Sequence, residues 1–369
     1  MYNDEFPIDP DTLYLNHAAV APWPRRTAQA VSAFAEENLR FGARHYPRWS
    51  EKEKRLREQL RSLINAPDTD DIALLKNTSE GLSVIASGLA WQAGDEIVIS
   101  EQEFPSNRIP WQALASQGVK VVSVNLDGDD PERDLIAAMG DKTRLMAISS
   151  VQYGSGLKLD LPRLGQACKK NRTLFCVDAI QSLGAEPFDL GTVGADFVVA
   201  DGHKWLLGPE GLALFYCAAS VRDQLTLQQF GWHMVEHAGD YDRKDWQPAA
   251  SARRFECGSP NMLGIHALSA SLSLFEEVGM ETVRDEIGKR TAMIADALSH
   301  DDRVRLLSPA DPARRAGIVT FLPLHETPEA CHQRLTRAGV VCAKRGGGIR
   351  WSPHFYTPEA IIEQALKLL

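Results

Sequence analysis

The chain has 369 residues, 44% of them hydrophobic and 24% charged. Those globular proportions exclude a disordered or fibrous polypeptide, and the length allows two domains or one large α/β domain. Forty lysines and arginines face 49 acidic residues, a formal net charge of -9, which leaves no broad basic surface for a nucleic acid.

The first ten residues carry Asp4, Glu5 and Asp9 without a cationic or apolar leader, so no secretory signal is expected. The longest apolar stretches, such as Leu212–Ala219, fall short of the ~20 residues of a membrane span. The six cysteines, at 168, 176, 217, 257, 331 and 342, form no CxxC pair and read as reduced core residues. The expected location is the cytoplasm.

From residue 70 short apolar runs alternate with amphipathic stretches. Ile72–Leu75, Glu96–Ile99, Val119–Val124, Leu145–Ser149, Leu174–Val177, Phe197–Ala200 and Leu212–Tyr216 read as strands buried on both faces of a mostly parallel sheet. Between most of them, Leu82–Trp91, Arg108–Ser116, Pro131–Met139 and Pro162–Lys170 read as helices. Such alternation predicts a doubly wound α/β domain, placed at residues 12–255. Beyond it, Leu263–Val278 and Thr282–Leu298 are long helical patterns. Short strands at Arg303–Leu307, Gly317–Leu322, Val340–Ala343 and Gly348–Ser352 and helices at Pro328–Ala338 and Pro358–Leu369 complete a smaller α+β domain, 256–369. The charged run Glu51–Arg61 reads as a solvated helix face.

Three segments carry chemistry. The strand Phe197–Ala200 runs into Asp201, Gly202, His203 and Lys204, with Gly208, Pro209 and Gly211 keeping the backbone tight. A lysine so placed can act as a Schiff-base nucleophile when burial frees its amine, or can be an ordinary loop lysine. Asp178 ends the apolar strand at Leu174–Val177, on the edge where open α/β sheets bind ligands. Paired with Lys204, its carboxylate can keep a pyridinium nitrogen protonated; by itself it can equally cap the next turn. Strand Ile72–Leu75 leads into Asn77, Thr78 and Ser79 at a helix start, an anion site or a simple cap.

In this order and spacing the three segments resemble the class V aminotransferase family of pyridoxal-phosphate enzymes. The resemblance runs from Leu13–Ala19 to Arg350–Tyr356. It implies fold type I, a large mostly parallel sheet domain plus a smaller α+β domain, and pyridoxal 5'-phosphate as cofactor. Lys204 matches the lysine that carries the cofactor, Asp178 the partner of the pyridine nitrogen, and Gln181 the residue facing the phenolic oxygen. Thr78, Ser79 and His203 match phosphate-binding positions. Ser259, in the segment Arg254–Asn261, matches the position that reaches a partner subunit's phosphate, which implies a homodimer with shared active sites. Arg350 matches the arginine that grips a substrate carboxylate, a task suited to its bidentate fork. His17 and Ala18 match a loop lining the substrate pocket, although a structural role for His17 is equally open.

Departures bear on the reaction. Phe104 stands where desulfurases have a stacking histidine, and a phenyl ring can stack but cannot shuttle a proton. Asp201 stands where many relatives have a phosphate-binding serine, and Tyr153 near a position often held by asparagine. Cys342, eight residues before Arg350, sits in a strand-like run rather than a mobile loop, so a persulfide role is disfavoured. Arg44, Trp232 and His233 are further pocket candidates. The favoured expectation is Cα carbanion chemistry on a small α-amino acid, as a C–S lyase working by β-elimination without a catalytic cysteine. The alternatives are a cysteine desulfurase or selenocysteine lyase, an aminotransferase, an epimerase, a kynureninase-like hydrolase, or a cofactor-binding scaffold without turnover. A nucleotide-binding reading lacks a Gly-x-Gly-x-x-Gly turn after an early strand, and Gly346–Gly348 fits a tight hairpin turn.

Overall fold

The computed structural model describes residues 2 and 4–369. Met1 and Asn3, within the acidic N-terminal stretch read above, lie outside the described residues. A short strand β1 (Leu13–Tyr14) precedes two long helices, α1 (Arg25–Phe41) and α2 (Tyr46–Leu63). Then strands and helices alternate: β2 (Ile72–Leu75), α3 (Thr78–Gly88), β3 (Glu96–Ser100), α4 (Ile109–Gln112), β4 (Lys120–Val124), α5 (Pro131–Ala137), β5 (Thr143–Ser149) and α6 (Leu161–Asn171). The series continues with β6 (Leu174–Asp178), α7 (Leu190–Val193), β7 (Phe197–Asp201), β8 (Ala213–Cys217) and α8 (Ala219–Arg222).

These strands form one seven-stranded sheet in the order β2-β8-β7-β6-β5-β3-β4. Only β8 runs antiparallel to its neighbours, and all other pairings are parallel. Strands β6, β7 and β8 are almost wholly buried, which explains their continuous apolar runs. The fold is therefore the α/β architecture of fold type I. Helix α3 begins four residues earlier than its apolar pattern suggests. Asn77 caps it by accepting from the Glu80 N–H, which sets the helix start directly after β2.

The chain continues through α9 (Met262–Val278), α10 (Met280–Ser299), β9 (Val304–Leu306), β10 (Val319–Pro323), α11 (Pro328–Arg337), β11 (Val340–Val341), β12 (Ala343–Arg345), β13 (Gly348–Trp351) and α12 (Glu359–Lys367). Strands β12-β13-β10-β9 make a second, antiparallel sheet. Its core contains Phe321, Ile349 and Trp351, and Leu13 and Leu15 from the N-terminal segment join it. Ile265, Leu268 and Leu272 of α9 pack instead in the core that covers the larger sheet.

The hairpin β12–β13 turns through Gly346 and Gly347, both at positive φ, as the glycine run suggested. Its tip presses on the turn after β5, because a Cβ on Gly346 would lie 2.5 Å from the Gly154 carbonyl oxygen. This contact carries Arg350 to the carboxyl edge of the large sheet. The charged run in α2 departs from its expected solvation at one point. Arg57 is drawn inside to pair with Glu53 at 2.7 Å and Glu256 at 2.7 Å.

Candidate active site

A cavity of about 290 Å³ opens at the carboxyl ends of β2, β5, β6 and β7, where parallel α/β sheets bind ligands. Its walls include Thr78, Ser79, Phe104, Asp178, Gln181, His203, Lys204, Arg350 and Ala18. Nine of the sequence-derived positions thus converge on one space although they span more than 300 residues.

Asp178 closes β6 in parallel register with Val199 of β7, and Lys204 follows the end of β7. The Asp178 carboxylate is buried and accepts one bond, from the Ile180 N–H at 3.1 Å, so it also caps the next turn. Burial raises its pKa above the usual carboxylate range, and the nearby Lys204 charge opposes that rise. Burial lowers the pKa of Lys204 in turn, which favours the free amine. The Lys204 Nζ lies 5.7 Å from the centre of the Phe104 ring. Phe104 packs edge-on against Tyr153 with ring centres 5.1 Å apart.

The turn that carries Phe104 is fixed from beneath. Buried Glu103 accepts from Asn107 Nδ2 at 2.9 Å, from the Ser149 N–H at 2.9 Å, and from the Ser149 hydroxyl. At the other end of the cavity the first-turn N–H groups of α3 point out of the helix without intrahelical partners. Thr78 Oγ1 accepts from the Asp201 N–H at 3.1 Å, which leaves its own proton to donate. Asp201 turns its carboxylate to His203, with Oδ1 3.0 Å from Nδ1. Thr78 thus keeps a proton for an anion, beside the Ser79 hydroxyl, which donates to Ser106 Oγ at 2.8 Å, and the His203 ring.

Gln181 is clamped from two sides. Its Nε2 donates to the Ala18 carbonyl at 3.0 Å, and its Oε1 accepts from Trp205 Nε1 at 2.8 Å. Arg350 donates from Nη1 to the Tyr153 carbonyl at 2.9 Å, while its buried Nε has no partner among the described residues. Burial and the neighbouring Arg345 lower its pKa to about 10. Among the described residues no carboxylate pairs with this buried guanidinium, and its fork is of the kind that suits one.

Five expected residues lie elsewhere. His17 does not reach the cavity. It is fully buried, with Nδ1 donating to the Ser352 carbonyl at 2.8 Å and Nε2 accepting from the Tyr356 hydroxyl at 2.7 Å, which fits the structural alternative. Ser259 is exposed on a separate groove beside Lys76 and Asn261. Trp232 lines another cavity, of about 480 Å³; His233 faces Glu256 at 3.8 Å; and Arg44 is exposed beyond α1. Conversely, Ser106, Glu210 and Arg345 line the active cavity without having been singled out. Arg345 had a readable signal, its place beside the hairpin glycines one strand away from Arg350.

The donor set fits pyridoxal phosphate on the observations above: a buried amine, a buried carboxylate one strand away, an aromatic cover and a helix N-terminus with two hydroxyls. Comparison with known proteins agrees. The family model described as aminotransferase class-V matches residues 13–355. A probable cysteine desulfurase of Methanothermobacter thermautotrophicus is 29% identical, with 97% of this chain and 94% of that protein covered. The structure of a cystine C–S lyase in complex with cysteine persulfide superposes with a TM-score of 0.89 at 25% identity, covering 98% of each chain. The apo cysteine desulfurase of Thermococcus onnurineus shares the fold, with a TM-score of 0.87 at 23% identity over 100% of this chain and 96% of that one. Fold, cavity and comparisons lead to one assignment: the chain belongs to the class-V aminotransferase family.

Proposed function

We propose that the protein is a pyridoxal-phosphate C–S lyase that acts on a small or medium α-amino acid by β-elimination, without an enzyme thiol as nucleophile. When bound, the cofactor supplies an electron sink for the Cα carbanion. Lys204 would carry it, and once the substrate amine had displaced Lys204, the freed amine would take the proton from substrate Cα. Its lowered pKa keeps enough of that amine neutral to act as a base. Asp178 would hold the ring-nitrogen proton, Gln181 would offer a donor N–H, and Phe104 would supply an aromatic face to the ring. Arg350 orients the substrate carboxylate.

The observation that carries the thiol-independent reading is the position of the cysteines. Among the described residues no cysteine lines the cavity. Cys342, the nearest to Arg350 in sequence, is buried between β11 and β12, and burial pushes its thiol up to about 12. Such a thiol is a poor nucleophile. The likeness to a cystine C–S lyase supports the same class of reaction. Thiolate-dependent desulfuration is the second reading, favoured by the names of the curated relatives. Replacing Cys342→Ala separates them: retained sulfur release supports elimination, and its abolition with cofactor binding intact contradicts it.

A homodimer with shared sites remains part of the proposal. It is supported by the exposed Ser259, which stands apart from its own chain's cavity. Among the described residues no helix is long and apolar enough to cross a membrane. All six cysteines are unpaired, which supports a reducing, cytoplasmic setting.

A further inference from the structure

We infer that Trp205, the residue after the cofactor lysine, is a positioning residue that sets the orientation of Gln181; the inference rests on the pyridoxal-phosphate reading. An amide side chain can face the cavity with either its oxygen or its nitrogen, and the two choices have opposite consequences. A donor toward the cofactor's phenolic oxygen stabilises the anion there, and an acceptor opposes it. Two bonds fix the choice. The Ala18 carbonyl can only accept, so the atom against it is Nε2, at 3.0 Å. The indole N–H of Trp205 can only donate, so the atom against it is Oε1, at 2.8 Å. The remaining Nε2 proton is the one left for the cavity that Gln181 lines.

Trp205 is itself held on three sides. It is fully buried, and its carbonyl accepts from His354 Nε2 at 3.1 Å. The His354 tautomer follows from its other nitrogen, because Nδ1 accepts from the Phe355 N–H at 2.9 Å. The indole ring fills the space over Gly317, where a Cβ would lie 2.3 Å from it. Ala18 is tied to the same C-terminal segment, since its N–H donates to Ser352 Oγ at 3.0 Å. Ser352 and His354 directly follow β13, the strand that carries Arg350. One hydrogen-bonded strut thus links the carboxylate-binding strand to the cofactor-facing amide.

The test compares Trp205→Phe and Gln181→Leu with the wild type in two readouts. These are the affinity of the cofactor-free protein for pyridoxal 5'-phosphate, and the pH at which the bound cofactor's visible band titrates. Both variants should weaken binding by about 2- to 10-fold, the worth of one neutral hydrogen bond. Both should raise the titration midpoint, and the double variant should add little to either single one. Replacing Trp205 by benzothienylalanine, which keeps the ring and lacks the N–H, decides the matter if Trp205→Phe does not fold. A midpoint that moves with Gln181→Leu but stays at the wild-type value without the indole N–H overturns the inference alone. A wild-type protein that binds no pyridoxal phosphate overturns the functional reading and this inference with it.

Discussion

Asp178 and Lys204 face the same cavity from neighbouring parallel strands, and each lowers the cost of the other's charge there. Desolvation dominates for both, so burial shifts the amine and the acid of the cofactor-free site toward their neutral forms. The pair is therefore poised to receive a group that brings a ring nitrogen to one and an aldehyde to the other.

Lys204 should react with amine reagents at lower pH than surface lysines. Its folded pKa lies below the ordinary 10.5, so its neutral fraction survives further into the acid range. Pulse labelling of the cofactor-free protein with acetic anhydride, read by peptide mass spectrometry over a pH series, should place the Lys204 midpoint below those of Lys54 and Lys289, whose carboxylate partners raise theirs. A Lys204 midpoint equal to theirs contradicts the burial argument.

Arg350→Lys keeps a positive charge but loses the fork and the Nε–H. The expected loss in kcat/KM is about 10- to 100-fold, carried mainly by KM, with pyridoxal-phosphate affinity unchanged. A variant that loses cofactor and substrate affinity together would assign Arg350 to the fold rather than to the carboxylate.

Gly346→Ala and Gly347→Ala separate strain from collision. Both residues have positive φ, at 60° and 80°, so either substitution costs about 1 kcal/mol of left-handed strain. Only the Gly346 methyl meets a wall, the Gly154 backbone, while Gly347 faces open space. Gly346→Ala should cost about 1–3 kcal/mol more in denaturant unfolding and should raise KM by displacing Arg350. Equal effects of the two variants would remove the hairpin contact from the account.

His17 is a pH-dependent part of the fold. Burial lowers its pKa from 6.5 to about 4, so the unfolded chain binds the extra proton first. The stability it contributes is fully present above 6.5 and is lost as pH falls toward 4. The destabilisation caused by His17→Gln should therefore shrink over that window in thermal unfolding of the cofactor-free protein. A difference from wild type that stays constant contradicts it.

The sheet was legible because β5, β6, β7 and β8 are buried on both faces and show it as unbroken apolar runs. Helix α1 was not picked out: only Thr27 of its 17 residues is buried, and its inner positions Ala30, Val31 and Phe34 stay partly exposed. In helix α2 the charged run was legible as a helix face but the role of Arg57 was not: it looks like surface charge until Glu256, 199 residues away, closes on it. Lys204 and Asp178 stood out because they lie at or just beyond the carboxyl ends of buried strands, whereas Gln181 and Arg350 were marked by the family resemblance. The placement of His17 depends on the Ser352 carbonyl and the Tyr356 hydroxyl. Those are tertiary contacts with no local signature.

The central claim is elimination at a cofactor site without a protein thiol, and the products formed from L-cysteine under anaerobic conditions test it most directly. Elimination yields pyruvate, ammonia and sulfide in equal amounts, and the account predicts these from the pyridoxal-phosphate-loaded protein and equally from its Cys342→Ala variant. Alanine as the product, with a persulfide left on a protein cysteine, would contradict it.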